Sequence, residues 1–375
     1  MNKAIIGGII AAVAISVIVA VLAILPESGT PPVTLTKNEK LGLIVNSPSN
    51  EITLEELDRV FSQASSTGVG RNNHYLFWNL LEPEKDQYNW KQSDVLMSFN
   101  KKNNMKVTLY FSVINGKTLG PFPDWIGKPN LGAIPKDRLV KVLDNILTRY
   151  NIIDTIIIGG DVDAHFRYNE QDMPVYQKFF TEVYLQIKEK HPNVKIGNAF
   201  SLHGTLNKQL EHIVKAFQMG DFVAFSYFPV DSLNDINKTP EEAREDLEKI
   251  FELVPNRQVG IFEISWSTSS FVNGTNSDQA EFLKTTFDFY NQNESKIEFL
   301  TWYRQYDRPE GTCIINPEKV EGSISIGGGS GLGSSEFVIE RLSKYICNAG
   351  LIDVEGKPKP AWSEFSRQVQ MITKS

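Results

Sequence analysis

Cysteine and histidine are scarce: the 375 residues include two cysteines, Cys313 and Cys347, and five histidines. They have no Cys/His spacing of a structural zinc site, so a zinc-held fold is excluded and neither a metal nor another cofactor is expected. An excess of basic residues is missing too. Lys and Arg total 38 against 45 Asp and Glu, a net charge of −7, which argues against a nucleic-acid partner needing a basic stripe. No internal repeat of solenoid or propeller length is present. The glycine-rich stretch SISIGGGSGLGSS (323–335) lacks the G-K-[ST] ending of a P-loop. It also falls too late in the chain for a Rossmann fingerprint, and reads as a loop.

Only one long apolar run occurs. Residues 4–25 carry no charge and one polar residue, Ser16. At 1.5 Å per residue they span roughly 33 Å as a helix, enough to cross a bilayer core. Lys3 before the run places the N-terminus in the cytoplasm by the positive-inside tendency. Residues 1–26 are therefore expected to be a single-pass membrane anchor, the alternative being a cleaved signal. Both export the rest of the chain. Residues 27–39 read as a linker, and 40–375 as one domain. Three N-x-S/T sequons, at Asn237, Asn273 and Asn293, fit export. In an oxidising compartment Cys313 and Cys347 are expected to pair. The alternative is two unpaired core thiols, because sequence says nothing about their separation.

From residue 41 onward, apolar runs alternate with amphipathic stretches. Strands are expected at 41–45, 74–78, 105–113, 155–160, 194–200, 222–228, 258–265 and 297–307. Helices are expected at 53–65, 90–103, 137–150, 173–191, 206–217, 240–254 and 277–292, with another within 335–347 and a further amphipathic stretch at the C-terminal tail. Thr53 with Glu56 forms a capping-box pattern, and Thr239 caps a second helix. Strict alternation means parallel strands with helical crossovers, and eight units favour an α/β fold of the closed (β/α)8 TIM-barrel type.

Active sites of such barrels lie where the strands end. Glu263 ends the apolar run Val259 to Phe262, and Asp161 follows TIIIGG. Two carboxylates across a barrel mouth are the working parts of a glycosidase: Glu263 as nucleophile, Asp161 as acid/base. The bland alternative for Glu263 is an ion pair with Arg71 or Arg304. Tyr227, in FSYFP, is expected to hold the Glu263 carboxylate. Trp302 and Trp78 are expected to offer flat faces to sugar rings, with Trp266 nearby. Arg71 and His203 are candidates for hydroxyl contacts. Phe111, Phe122, Trp125 and Tyr303 also crowd strand ends. Asp161, Asp163 and His165 would share one face of an extended chain. A small metal cluster is one reading of that pattern, set below the proton-donor role for Asp161.

These segments together resemble the retaining glycoside hydrolases of clan A, endo-glycanase and β-galactosidase-like enzymes. FWNLLEPEKDQYNW (77–90) is similar to the second β-α segment of that family and PFPDWI (121–126) to its third loop. FEISWS, SYFP and TWYRQYD are similar to its strand-7, strand-6 and strand-8 motifs, and GLIDVEGKPKPAWSEF (350–365) to its ending. The resemblance covers 40–370 and implies a (β/α)8 barrel that hydrolyses a poly- or oligosaccharide. The strand-4 motif departs from the family: Gly160-Asp161 stands where the family has Asn-Glu. The missing Asn would bind the sugar 2-hydroxyl, and Asp is one methylene shorter than Glu. A catalytically inactive glycan-binding barrel is therefore the alternative. Changing Gly160 to Asn and Asp161 to Glu together is expected to restore both features, with a positive φ at Gly160 the anticipated complication.

Overall fold

The computed structural model describes residues 36–49, 52–313 and 336–374. The apolar segment 4–25 and the glycine-rich stretch 323–335 lie outside them. Eight parallel strands form a closed barrel: β1 Asn38–Leu43, β2 Val69–Tyr75, β3 Lys106–Asn115, β4 Ile153–Gly160, β5 Lys195–Ser201, β6 Phe222–Tyr227, β7 Gln258–Ile264 and β8 Ile297–Trp302. Each pairs with the next, and β8 returns to β1. A two-residue antiparallel strand, Thr118–Leu119, folds back on the end of β3.

Two cores follow from the two faces of each strand. Phe77, Tyr110, Ile157, Ala199, Ala224, Phe262 and Phe299 pack together inside the barrel. The larger core lies between the strands and the surrounding helices. Both faces of a barrel strand are buried, which is why the strands read as continuous apolar runs. Side-chain caps start several helices. Thr239 and Glu242 complete a capping box at Pro240–Glu248. At Leu54–Ser65 only half the box forms: Thr53 accepts the Glu56 N–H, and the Glu56 carboxylate turns to Arg59.

Several elements differ from the sequence expectation. The second strand is the polar VGRNNHY, not 74–78. Three of its polar side chains are satisfied inside the protein: Asn72 on Asn100, Asn73 on the Phe262 carbonyl, Arg71 on Asp154. Trp78–Leu81 is instead a short helix. The expected helix 206–217 is two helices, Leu202–Lys208 and Glu211–Ala216, broken where Gln209 takes a left-handed conformation at φ 56°. The eighth strand ends at Trp302, since Gln305 and Tyr306 turn to bond with Asn46. Among the described residues no helix is long and apolar enough to cross a membrane.

Candidate active site

A β-bulge sets the direction of Glu263. Phe225 pairs with Ile261, but its neighbour Ser226 pairs with Glu263, so β7 carries one residue more than β6 at this point. Such a bulge re-aims the side chains beyond it. Phe262 joins the lumen core, and Glu263, 3% exposed, meets the Tyr75 hydroxyl, which donates to its Oε1. Burial pushes the Glu263 carboxyl up to about 7. The Tyr75 hydrogen bond opposes that rise, the charge of Asp161 adds to it, and Arg304 opposes it. Burial first, and then Glu263, hold the Tyr75 phenol well above its usual range.

Asp161 follows β4 in a left-handed conformation, φ 47° and ψ 48°, and starts the short helix Val162–Phe166. Asp is among the non-glycine residues that tolerate this region. Its Oδ1 accepts a hydrogen bond from Ser226 Oγ at 3.4 Å. Ser226 thus stands directly opposite Glu263 in the sheet and also touches Asp161. The left-handed turn overturns the extended D-x-D-x-H pattern. Asp163 is buried, takes the Ser201 N–H at 2.8 Å, and leaves Oδ2 without a partner. Burial and then the Asp161 charge raise Asp163 to about 7. The His165 ring lies 3.3 Å from the Lys117 carbonyl and edge-on to Phe166. Among the described residues no group of three His, Cys, Asp or Glu side chains could hold a metal ion.

Gly160 is required by space rather than by φ. A Cβ there would stand 1.9 Å from the Tyr110 hydroxyl, and the left-handed φ belongs to its neighbour Asp161. Tyr110 is itself fixed. Its ring stacks on Phe262 at 5.6 Å and lies 5.5 Å from Tyr75, and its hydroxyl donates to Asn115. The site at β4 is therefore occupied by an aromatic ring from β3.

Many solved structures share this arrangement of strands and helices. A GH5_18 protein of Bifidobacterium longum subsp. longum, solved in complex with Manb1-4GlcNAc, matches with a TM-score of 0.63 over 90% of this chain and 78% of its own, at 14% identity. The fold is the (β/α)8 barrel that these glycoside hydrolases share. The exo-beta-1,4-mannosidase of an Opitutaceae bacterium matches with a TM-score of 0.65, at 14% identity, covering 90% of this chain and 60% of that one. A family 39 glycoside hydrolase from Bacteroides cellulosilyticus reaches 0.56, at 16% identity, covering 90% and 64%. No family model and no curated protein matches the sequence.

Within this barrel, several expected site residues sit elsewhere. Tyr227 does not hold Glu263. Its hydroxyl donates to Asp246 at 2.8 Å in the layer between barrel and helices. Trp302 and Trp266, 0% and 1% exposed, pack around Phe282 of the helix Asn276–Asn293, as Tyr227 does. Neither ring presents a free face. Trp78 is buried against Phe111 and Phe122, with its Nε1 donating to Glu82 at 2.8 Å. Trp125 lies under the Arg138 guanidinium. Arg71 is far from the mouth, near the starts of β3 and β4, where it forms a bidentate pair with Asp154 at 2.7 and 2.9 Å. It is neither a hydroxyl contact nor a partner of Glu263. His203 is buried after β5 and stacked on Phe228, and burial pushes its imidazole down to about 3. Cys313 and Cys347 form a disulfide with a Cα separation of 5.7 Å.

The residues that meet Glu263 and Asp161 are ones the sequence reading missed or left unassigned: Tyr75, Tyr110, Ser226 and Tyr303. Placing β2 at 69–75 would have shown Arg71, Asn73 and Tyr75 on one face by the period of two. Tyr303 packs on Phe228 at 5.5 Å, with the Arg304 guanidinium over its ring at 4.5 Å. Burial first, and the charge of Glu263 among the further causes, raise its phenol.

Proposed function

We propose that this chain is a glycoside hydrolase that cleaves an O-glycosidic bond of an oligosaccharide or polysaccharide. Glu263 attacks the anomeric carbon and forms a glycosyl ester. Asp161 protonates the departing oxygen and then takes a proton from the water that releases the sugar. The observation that carries this reading is that Ser226, the register partner of Glu263 across β6 and β7, hydrogen-bonds Asp161 at the end of β4, and that Glu263 feels the Asp161 charge. Tyr75 favours the carboxylate form of Glu263, which the attack requires. A second reading, a glycan-binding barrel without turnover, draws on Tyr110 filling the space above Gly160 and on the burial of Trp78, Trp266 and Trp302.

The test is turnover of unactivated oligosaccharides, beginning with Manb1-4GlcNAc, the ligand of the similar Bifidobacterium structure. Aryl glycosides discriminate poorly, because a good leaving group needs little acid. Sugar release by the natural chain, and none by Glu263→Gln, supports hydrolysis. Binding without release supports the second reading.

We also propose that residues 4–25 anchor the protein in a membrane with the barrel outside the cytoplasm. The disulfide supports an oxidising compartment, and Asn237 and Asn273 of two sequons are exposed. Protease added to intact cells should release a soluble barrel. Degradation only after lysis would place the barrel inside.

A further inference from the structure

Cations gather at the carboxyl-terminal face of the barrel, although the chain as a whole carries a net charge of −7. On one side, Lys117 follows β3, Arg167 follows the helix after β4, and Lys208 ends the helix after β5. Lys117 Nζ lies 5.4 Å from the centre of the Tyr168 ring, and the Arg167 guanidinium lies 5.2 Å from the same ring. Tyr168 is 56% exposed, so its ring is a polar-edged platform carrying two cations at the surface. Lys208 is part-buried beside them. Burial lowers its ammonium, Asp163 and Asp161 oppose that, and Arg167 and Lys117 add to it.

On the other side, Arg304 and Arg308 both follow β8. Arg304 stacks on Tyr303, whose phenol senses Glu263. Arg308 is held below the usual guanidinium range by burial and then by the charge of Arg304. The nearest acids are buried and fewer than the cations: Asp163 and Asp161 act on Lys208, and Glu263 and Asp307 on Arg304. Asp307 pairs with Lys359 at 2.7 Å, Asp163 is buried on the Ser201 N–H, and Glu263 is buried on Tyr75. Like charges held this close repel one another. Five of them, brought by four separate loops to one rim, form a field suited to an incoming anion. Guanidinium groups also match the planar fork of a carboxylate or sulfate.

We infer that the barrel mouth takes an anionic glycan, a sugar chain bearing carboxylate or sulfate groups, with Lys117, Arg167 and Lys208 on one bank and Arg304 and Arg308 on the other. The inference rests on the glycan-directed reading above and names the substrate class of that same site. Neutral sugar rings would lie over the central carboxyls, and the charged substituents would reach the banks.

The test measures binding of the full-length protein to three oligosaccharides of equal length by titration calorimetry at low and moderate salt. One is a hexuronate, one a sulfated oligosaccharide, one a neutral β-mannoside. At least one anionic glycan should bind tenfold or more tightly than the neutral one, and the advantage should shrink as salt rises. Whichever anion is preferred identifies the charged group. The double variant Lys117→Gln with Arg167→Gln changes two exposed residues, so its thermal unfolding should match the natural chain. It should lose at least fivefold of the anionic preference. Equal binding of neutral and anionic glycans, or a preference untouched by the double variant, overturns the inference while leaving the glycan reading standing. Binding to none of the three overturns both.

Discussion

At the scale of single residues, the chemistry turns on how Glu263 and Gly160 are surrounded. Burial raises Glu263 from 4.5 to about 7 in the folded protein. Between those values the folded state holds more protons than the unfolded one. Stability therefore falls as pH rises from 4.5 to 7 and changes no further above that. Glu263→Gln removes this cost. It should leave stability near pH 4 almost unchanged and raise it by about 3 kcal/mol at pH 8, at 1.36 kcal/mol per pKa unit, as read by denaturant unfolding at both pH values. An equal effect at both would remove the shift. Because the nucleophile must be ionised, kcat/KM of the natural chain should also rise as pH passes through 7. Gly160→Asn is expected to harm the protein rather than repair it. The new Cβ would meet the Tyr110 hydroxyl at 1.9 Å, and overpacking costs about 1–3 kcal/mol. Tyr110→Ala in the same chain should recover part of that loss. Recovery of activity by the pair of changes Gly160→Asn and Asp161→Glu alone would contradict this steric account.

At the scale of elements, two tyrosines divide work that the sequence assigned to one. Tyr75 on β2 donates to Glu263, and Tyr227 on β6 ties the barrel to the helix Pro240–Glu248 through Asp246. Burial would raise the Asp246 carboxyl, but Lys238, Lys249 and Tyr227 hold it below its ordinary value. Tyr227→Phe should cost about 1.5–3 kcal/mol of stability, the range for a hydrogen bond to a charged group, and leave the pH dependence of kcat/KM in place. Tyr75→Phe should move that limb to higher pH, since it removes a bond that favours the carboxylate. The reverse pattern would reassign the two hydroxyls. The disulfide joins residues 34 positions apart and fastens the helix Glu336–Cys347 to the chain that leaves β8. Replacing both cysteines by alanine should lower stability by about 3–4 kcal/mol on the loop-entropy model, and the natural chain should resist alkylation until it is reduced.

At the scale of the whole molecule, the barrel separates a face that holds it together from a face that bears the candidate chemistry. Arg71 crosses from β2 to β4 near the strand starts, bonding Asp154, Thr108 and the Glu39 carbonyl. The Asp154 side chain is 33% exposed, so water can replace part of what it supplies. Asp154→Asn should cost about 2 kcal/mol, less than the 3–5 kcal/mol of a fully buried broken pair. It should not alter kcat or KM, because the pair lies away from the strand ends that carry Asp161 and Glu263. A tenfold loss of kcat with unchanged stability would bring Arg71 back into the mechanism.

The sequence by itself determined the barrel and the place of two acids at its strand ends. Parallel strands buried on both faces need long apolar runs and helical crossovers, and these are local patterns legible without coordinates. Glu263 and Asp161 were legible because each ends such a run. Which side chains surround them was a matter of tertiary structure. One extra residue in β7 reverses the face that every later residue presents, and that bulge depends on pairing with β6. A left-handed turn at Asp161 converts an expected extended segment into a helix. Tyr227, Trp266 and Trp302 read as site residues because they stand at strand ends, yet the helix Asn276–Asn293 covers all three through Phe282. The strand VGRNNHY was missed because its polar side chains find partners only on elements distant in sequence: Asp154 on β4, Phe262 on β7 and Asn100 on the helix Lys91–Lys102. Apolar periodicity reports which residues leave water. It does not report which polar groups meet once the barrel has closed.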